Sequence, residues 1–306
     1  MKRCPITYKP CSGKYSAEGL HLLSPNLETL ADFPYKPPEQ LELLLGYSNQ
    51  FSFSGVQPKL NAKLDVSQGA FVPVSRGGAF ILKLPRTDLP HLPENEDLTM
   101  RLGAAAGLDV PLHGLVHAGK QQFVYFIKRF DQRALKQKLG VEDFGQLAGL
   151  DKESKYDFSM EKAAAVIEQF CTFPLVDKEK LWHLTLFSFL VGNEDMHAKN
   201  FSVVREGDTI KLSPAYDLVC STIEIQTREE LALPLHGKKS NLQRKDFVDY
   251  FGKERLKLPD HSISAILQRL EVSIPQWREL IGISFLAEEK KERYLALIEK
   301  RAARIF

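Results

Sequence analysis

GNEDMHAKNFSVV, residues 192–204, follows the apolar run Leu181–Val191 and presents Asp195 and Asn200 in the order Asp-x-x-x-x-Asn within a polar loop. Phosphoryl transfer asks for this pairing. A carboxylate accepts the hydroxyl proton of the incoming nucleophile, and a nearby amide oxygen helps to hold magnesium against the transferred phosphate. Downstream, LSPAYDLVCS (residues 212–221) carries Asp217. This second hard oxygen ligand suits magnesium, which keeps several waters and completes its shell from ATP. One Asp or Asn in a loop is ordinarily a cap or turn residue; the three together, in this order, argue for a site. His197, between Asp195 and Asn200, either supports the loop, touches phosphate or is a solvated surface histidine.

Working outward, Asn200–Val204 and Thr209–Ser213 read as a β-hairpin turned by Glu206, Gly207 and Asp208. Around it the spacing predicts helices over Met160–Phe170, Lys178–Val191 behind an Asp177 cap, Ser262–Leu270, Pro275–Ile281 and Ala287–Arg304. Upstream the character changes. FVPV (71–74), AFILKL (79–84) and QQFVYFIKRF (121–130) read as strands, broken by one helix from Glu94 to Ala106 with Leu98, Leu102 and Ala105 at helical spacing. The expectation is an α+β chain in two lobes, a β-rich 1–130 and a helical 131–306, meeting near FDQR (130–133), with a ligand in the cleft. Residues 1–50 give weak signals.

Two lysines stand out in the β-rich half. Lys83 ends an apolar strand, where an ammonium is expensive unless it meets an anion, and a triphosphate would supply one. The following helix brings Glu94 and Glu96; Glu96 is the expected partner of Lys83, with Glu94 nearer the helix start as a capping residue. FSFSGVQPKL (51–60) places Ser54, Gly55, Val56, Gln57 and Lys59 in a turn where backbone N–H groups could approach phosphate oxygens. It is neither a Walker sequence nor a multi-glycine kinase loop, and a plain β-turn is the alternative.

Composition excludes several classes. A chain of 306 residues with 43% hydrophobic and 26% charged residues has globular rather than disordered composition. With 41 basic against 39 acidic residues, the formal charge of +2 does not suit an electrostatic clamp for nucleic acid. Cys4, Cys11, Cys171 and Cys220 are too scattered for a zinc site or a disulfide framework, which fits a reducing cytoplasm. No signal-peptide pattern and no membrane-spanning run appears, so a cytoplasmic protein without a membrane partner is expected.

The motifs together resemble a known family, the HipA-like serine/threonine kinases of bacterial toxin–antitoxin systems. The resemblance runs from about Phe51 to Ser221. It rests on SFSGVQPK, on FILKLP followed by PENEDLTMRLGAAAGL, on FIKRFDQR, on EDFGQLAGLDKESKY, and on GNEDMHAKNFSVV with LSPAYDLVCS. It implies a bilobal protein-kinase-like fold, ATP and Mg2+ as cofactors, Asp195 as catalytic base, Asn200 and Asp217 as magnesium ligands, and Lys59 and Lys83 on ATP phosphates. Backbone groups around Lys128 and the ring of Phe130 would lie at the adenine; many family members carry Glu where Lys128 stands. The resemblance also implies autophosphorylation on a serine of the glycine-containing loop, here Ser52 or Ser54. A phosphate there, adding roughly −1.5 to −2 charge, would compete with ATP.

The loop begins after only about fifty residues, a short form similar to HipT. That implies a separate small antitoxin matching the absent N-terminal subdomain, a helix-turn-helix antitoxin, and DNA contact only through the latter. The implied substrate is an aminoacyl-tRNA synthetase, tryptophanyl- or glutamyl-type. The alternative is a small-molecule kinase of the aminoglycoside or choline type, whose acidic substrate pocket the C-terminal half does not clearly display. A pseudokinase would have to retain Asp195, Asn200, Asp217, Lys83 and Lys59 unused.

Overall fold

Alternating burial along β3 (Lys59–Asp65) and β5 (Phe80–Lys83) sends Leu60, Ala62, Phe80 and Leu82 into one core. With β4 (Ala70–Pro73), β6 (His113–His117) and β7 (Phe123–Lys128) they form an antiparallel sheet in the order β4-β3-β5-β7-β6. The computed structural model describes residues 2–34, 57, 59–86, 88–119, 122–132, 138–150, 158–225 and 227–306. Phe71, Phe80 and Phe126 meet inside this core with ring centroids 5.1–6.1 Å apart, two of the three pairs edge-to-face.

The weakly patterned first residues cover that sheet. A two-residue pair, β1 (Lys2–Arg3) with β2 (Pro10–Cys11), leads to the helix Ala17–Leu23, capped where Ser16 accepts from the Gly19 amide. Cys4, Ile6, Leu20, Leu23, Leu27, Leu30 and Phe33 pack into the sheet core. Their apolar positions follow no single period, because a short helix and irregular chain share one task.

The chain divides into two compact units. The first holds the residues up to Leu98, Pro111–Phe130 and Ile283–Ala287; the second holds Thr99–Val110, Asp131–Gly282 and Glu288–Phe306. The helix Leu92–Ala105 thus contributes to both.

In the second unit the helices are Met160–Phe170, Pro174–Val191, Asp260–Ile283 and Glu288–Ala302, with a π-helical Asp246–Arg255 and the short turn Phe144–Leu147. A three-stranded sheet, β10-β9-β8, joins β8 (Gly140–Asp143), β9 (Ser202–Glu206) and β10 (Thr209–Leu212). Thr209 pairs with Glu206, so the hairpin turns tightly on Gly207 and Asp208, and β8 adds an unforeseen third strand.

Two helix expectations are corrected. The helix expected behind an Asp177 cap starts at Pro174 with Phe173 at the cap position. Proline suits the first helical position because its missing N–H would be unpaired there anyway. Asp177 lies inside the first turn, buried and 2.8 Å from Lys180 Nζ. The segments around Pro275 form one continuous helix. Proline removes one ladder hydrogen bond, but the helix is anchored on both sides: Ser273 Oγ lies within hydrogen-bond distance of the Ala105 and Arg269 carbonyls, and Trp277 Nε1 donates to the Leu102 carbonyl at 3.0 Å.

Candidate functional site

The phosphate-handling candidates of the first unit stand on regular structure. Lys83, at the end of β5, is 4% exposed and ion-pairs with the Glu96 carboxylate on the helix Leu92–Ala105, itself 2% exposed. Burying either charge alone would cost several kcal/mol; the pair meets that cost together. The Tyr125 ring lies 5.6 Å from Lys83 Nζ. Glu94 instead reaches His91 Nδ1 at 3.2 Å, and Asp97 reaches His113 Nδ1 at 2.9 Å. The buried Asp97–His113 pair carries no sequence signal beyond a charge in an apolar pattern.

Lys59 lies directly opposite Lys83 in the β3–β5 register, so both side chains leave the sheet on the same face. Like charges so placed destabilise a sheet unless an anion joins them. Gln57 Nε2 donates to the Leu84 carbonyl at 3.1 Å. Lys128 is exposed, with its amide N–H donated to the Leu112 carbonyl at 2.7 Å, and Phe130 is half-buried. Ser52, Ser54, Gly55 and Val56 lie outside the described residues.

In the second unit the apolar helix Pro174–Val191 ends on Gly192, whose φ of +75° is left-handed. A Cβ there would stand 2.5 Å from Leu297 Cδ2 and 2.6 Å from Thr222 Oγ1. Glycine is what allows the chain to turn sharply into the loop. Asp195 is exposed, while its carbonyl accepts from the His197 amide at 2.8 Å and from Asn200 Nδ2 at 3.2 Å. Asn200, at the end of the turn Ala198–Asn200, is buried; spending Nδ2 inside the loop leaves Oδ1 as its acceptor. His197 is buried, not a solvated surface histidine.

Asp217 sits in the left-handed region at φ +56°, a conformation that costs a non-glycine residue free energy and persists only when its surroundings enforce it. Its neighbour Tyr216 supplies such enforcement. The Tyr216 hydroxyl donates to the Lys199 carbonyl at 3.0 Å and accepts from Ser202 Oγ at 2.6 Å. Burial pushes its phenol well above the ordinary tyrosine range, so it stays a donor. One side chain thus ties the backbone beside Asn200 to the backbone beside Asp217. Sequence reasoning missed Tyr216 and Ser202; the only hint was their adjacency to the motif residues.

Among the described residues no cluster of three or more His, Cys, Asp or Glu side chains could hold a metal ion. Magnesium needs fewer protein ligands, commonly one or two oxygens with phosphates and water beside them. The Asn200 amide oxygen and the Asp217 carboxylate have that chemistry. Nor, among the described residues, is any helix long and apolar enough to cross a membrane.

A family model described as the HipA-like C-terminal domain matches residues 51–278. A Haemophilus influenzae protein named "Putative kinase" is 29% identical over 99% of this chain and 97% of its own length. The serine/threonine-protein kinase toxin HipA of Shewanella oneidensis is 27% identical over 74% of this chain and 56% of its own. Among solved structures, HipA from a Shewanella oneidensis complex of HipA, HipB and operator DNA superposes with a TM-score of 0.70 at 22% identity, covering 91% of this chain and 72% of that one. The Helicobacter pylori proinflammatory kinase CtkA gives 0.55 at 19% identity, covering 74% and 87%. The likenesses establish an α+β kinase-like fold, and the span of the family match shows that this chain belongs to the HipA-like kinase family.

Proposed function

We propose that this chain transfers the γ-phosphoryl group of ATP to a serine of a protein substrate, as the toxin of a toxin–antitoxin system. The observation that carries the reading is the Asp195 loop: the Asp195 carbonyl, the His197 amide and Asn200 Nδ2 hold the turn, and Asp195 is exposed. Asp195 accepts the serine hydroxyl proton as the oxygen attacks phosphorus. Lys83, fixed by Glu96, and Lys59 beside it neutralise phosphate oxygens. Asn200 and Asp217 would hold magnesium, which when bound screens the negative charge of the phosphates.

The substrate we propose is an aminoacyl-tRNA synthetase, tryptophanyl- or glutamyl-type, with self-phosphorylation on Ser52 or Ser54. Proposed partners are a helix-turn-helix antitoxin, through which any DNA contact runs, and a small antitoxin in the manner of HipT; the Shewanella oneidensis complex with HipB and operator DNA supports the former.

The test is incubation with MgATP and each synthetase, followed by intact mass and phosphopeptide mapping beside Asp195→Asn. Phosphate on a synthetase serine, and on Ser52 or Ser54, is expected from the unsubstituted protein only. The variant should lose about 10²–10⁴-fold in rate while still binding MgATP. Near-normal turnover by Asp195→Asn would sink the assignment of the base, and phosphorylation of aminoglycosides or choline instead of protein would replace the reading with a small-molecule kinase.

A further inference from the structure

The residue before the proposed base is gripped from two directions. The Glu194 amide donates to Ser221 Oγ at 2.7 Å, and its Oε1 lies 2.7 Å from both Thr222 Oγ1 and Arg301 Nη2. Ser221 and Thr222 follow Asp217 in the chain, and both side chains also approach the Gly192 carbonyl at 3.2 Å. Arg301 arrives from the helix Glu288–Ala302. Its Nη1 donates at 2.5 Å to the Phe189 carbonyl, which at the helix end also accepts from the Gly192 amide at 3.3 Å. The guanidinium also lies 5.2 Å from the Phe189 ring centroid.

This arrangement is a poor device for stability alone. The side chains of Arg301 and Glu194 are 5% and 4% exposed, and Glu194 Oε2 is buried with no hydrogen-bond partner among the described residues. Burial pushes the Glu194 carboxyl above its ordinary value against the opposing hydrogen bonds of Thr222 and Arg301. Apolar side chains of similar size would often serve the fold as well or better. What they could not do is fix the direction of the chain from Phe189 to Asp195, because only a forked donor joins a helix-end carbonyl to a loop carboxylate. A cavity of about 540 Å³ lined in part by Glu194, Thr222, Arg301 and Arg304 leaves the loop room to shift once the fork is lost.

We infer that Arg301 is a positioning residue for phosphoryl transfer: through Glu194 it latches the Asp195 loop to the segment that follows Asp217. The inference rests on the proposed kinase activity for its kinetic readout, but not for its structural one. Arg301→Lys keeps the charge and loses the fork. It should fold, lower kcat about 10- to 100-fold with KM for ATP changed by less than about twofold, and raise amide exchange over residues 192–200 about tenfold.

The paired variant Arg301→Met with Glu194→Met removes both charges. Its thermal stability should return to that of the unsubstituted protein while kcat and exchange protection do not. Recovery of kcat to within about twofold in the paired variant would make the pair merely structural and overturn the inference; so would unchanged turnover and exchange in Arg301→Lys. If the unsubstituted protein transfers no phosphate at all, the kinase reading fails, and exchange over residues 192–200 decides the latch by itself.

Discussion

Lys83 and Asp195, the leading candidates of the two units, are held by opposite means. Lys83 is held by a strand register and a helix: β5 aims it and Glu96 meets it. Asp195 is held by a loop with no repeating geometry, in which a left-handed glycine, a 3-10 turn, a left-handed Asp217 and a tyrosine hydroxyl share the work. Regular elements position a side chain through backbone hydrogen bonds that any sequence of suitable pattern can make. An irregular loop must be positioned by particular side chains, and each of those becomes a point of failure.

The largest effect expected is on the regular side. Lys83→Met should remove the ion-pair partner of the buried Glu96 carboxylate, costing about 3–5 kcal/mol in chemical unfolding. A cost under about 1 kcal/mol would mean that the pair relaxes into solvent and that the contrast with the loop fails. On the irregular side, Gly192→Ala adds a left-handed alanine and a clash with Leu297 and Thr222. About 3 kcal/mol is expected, with phosphotransfer falling further than stability explains; a thermal shift without kinetic loss would show that the turn does not govern the loop.

His183, on the helix that feeds the loop, tests the same segment by pH. Burial, with the Arg269 charge adding to it, lowers its pKa to about 4 from an ordinary 6.5. The folded protein therefore resists protonation that the unfolded chain accepts. Stability should be full above pH 6.5 and fall by about 1.4 kcal/mol per unit as pH drops towards 4. His183→Gln should flatten that part of the profile; an unaltered slope would assign it to other groups. The smallest effect expected is for Tyr216→Phe. Losing one hydroxyl should cost about 1–2 kcal/mol, with weaker magnesium dependence of turnover if the strut sets Asp217, and none if it only fills space.

The hairpin, the helix Met160–Phe170 and the β-rich character of residues 71–130 were legible because each repeats a period over enough residues to stand above noise. The sheet-covering role of residues 2–34 and the third strand β8 were not, since residues 2–34 follow no single period and β8, GVED at 140–143, has only Val141 as an apolar side chain. Pro275 misled because a local breaker lost to anchoring by Trp277 and Ser273. In the candidate site the chemistry-bearing types were readable from order and spacing: a carboxylate, an amide and a second carboxylate in GNEDMHAKNFSVV and SPAYD, and a lysine in an apolar strand.

By itself, then, the sequence determined the fold class and marked out the candidate residues for the proposed chemistry, because residue type and period are local properties. Only the tertiary structure decided that Glu94 turns to His91, that Tyr216 braces both loops, and that Arg301, more than a hundred residues from Glu194 in the chain, closes on it. Those partnerships depend on direction and burial in three dimensions. A buried polar group takes whichever partner the packing brings within hydrogen-bond reach, and no spacing along the chain encodes that choice.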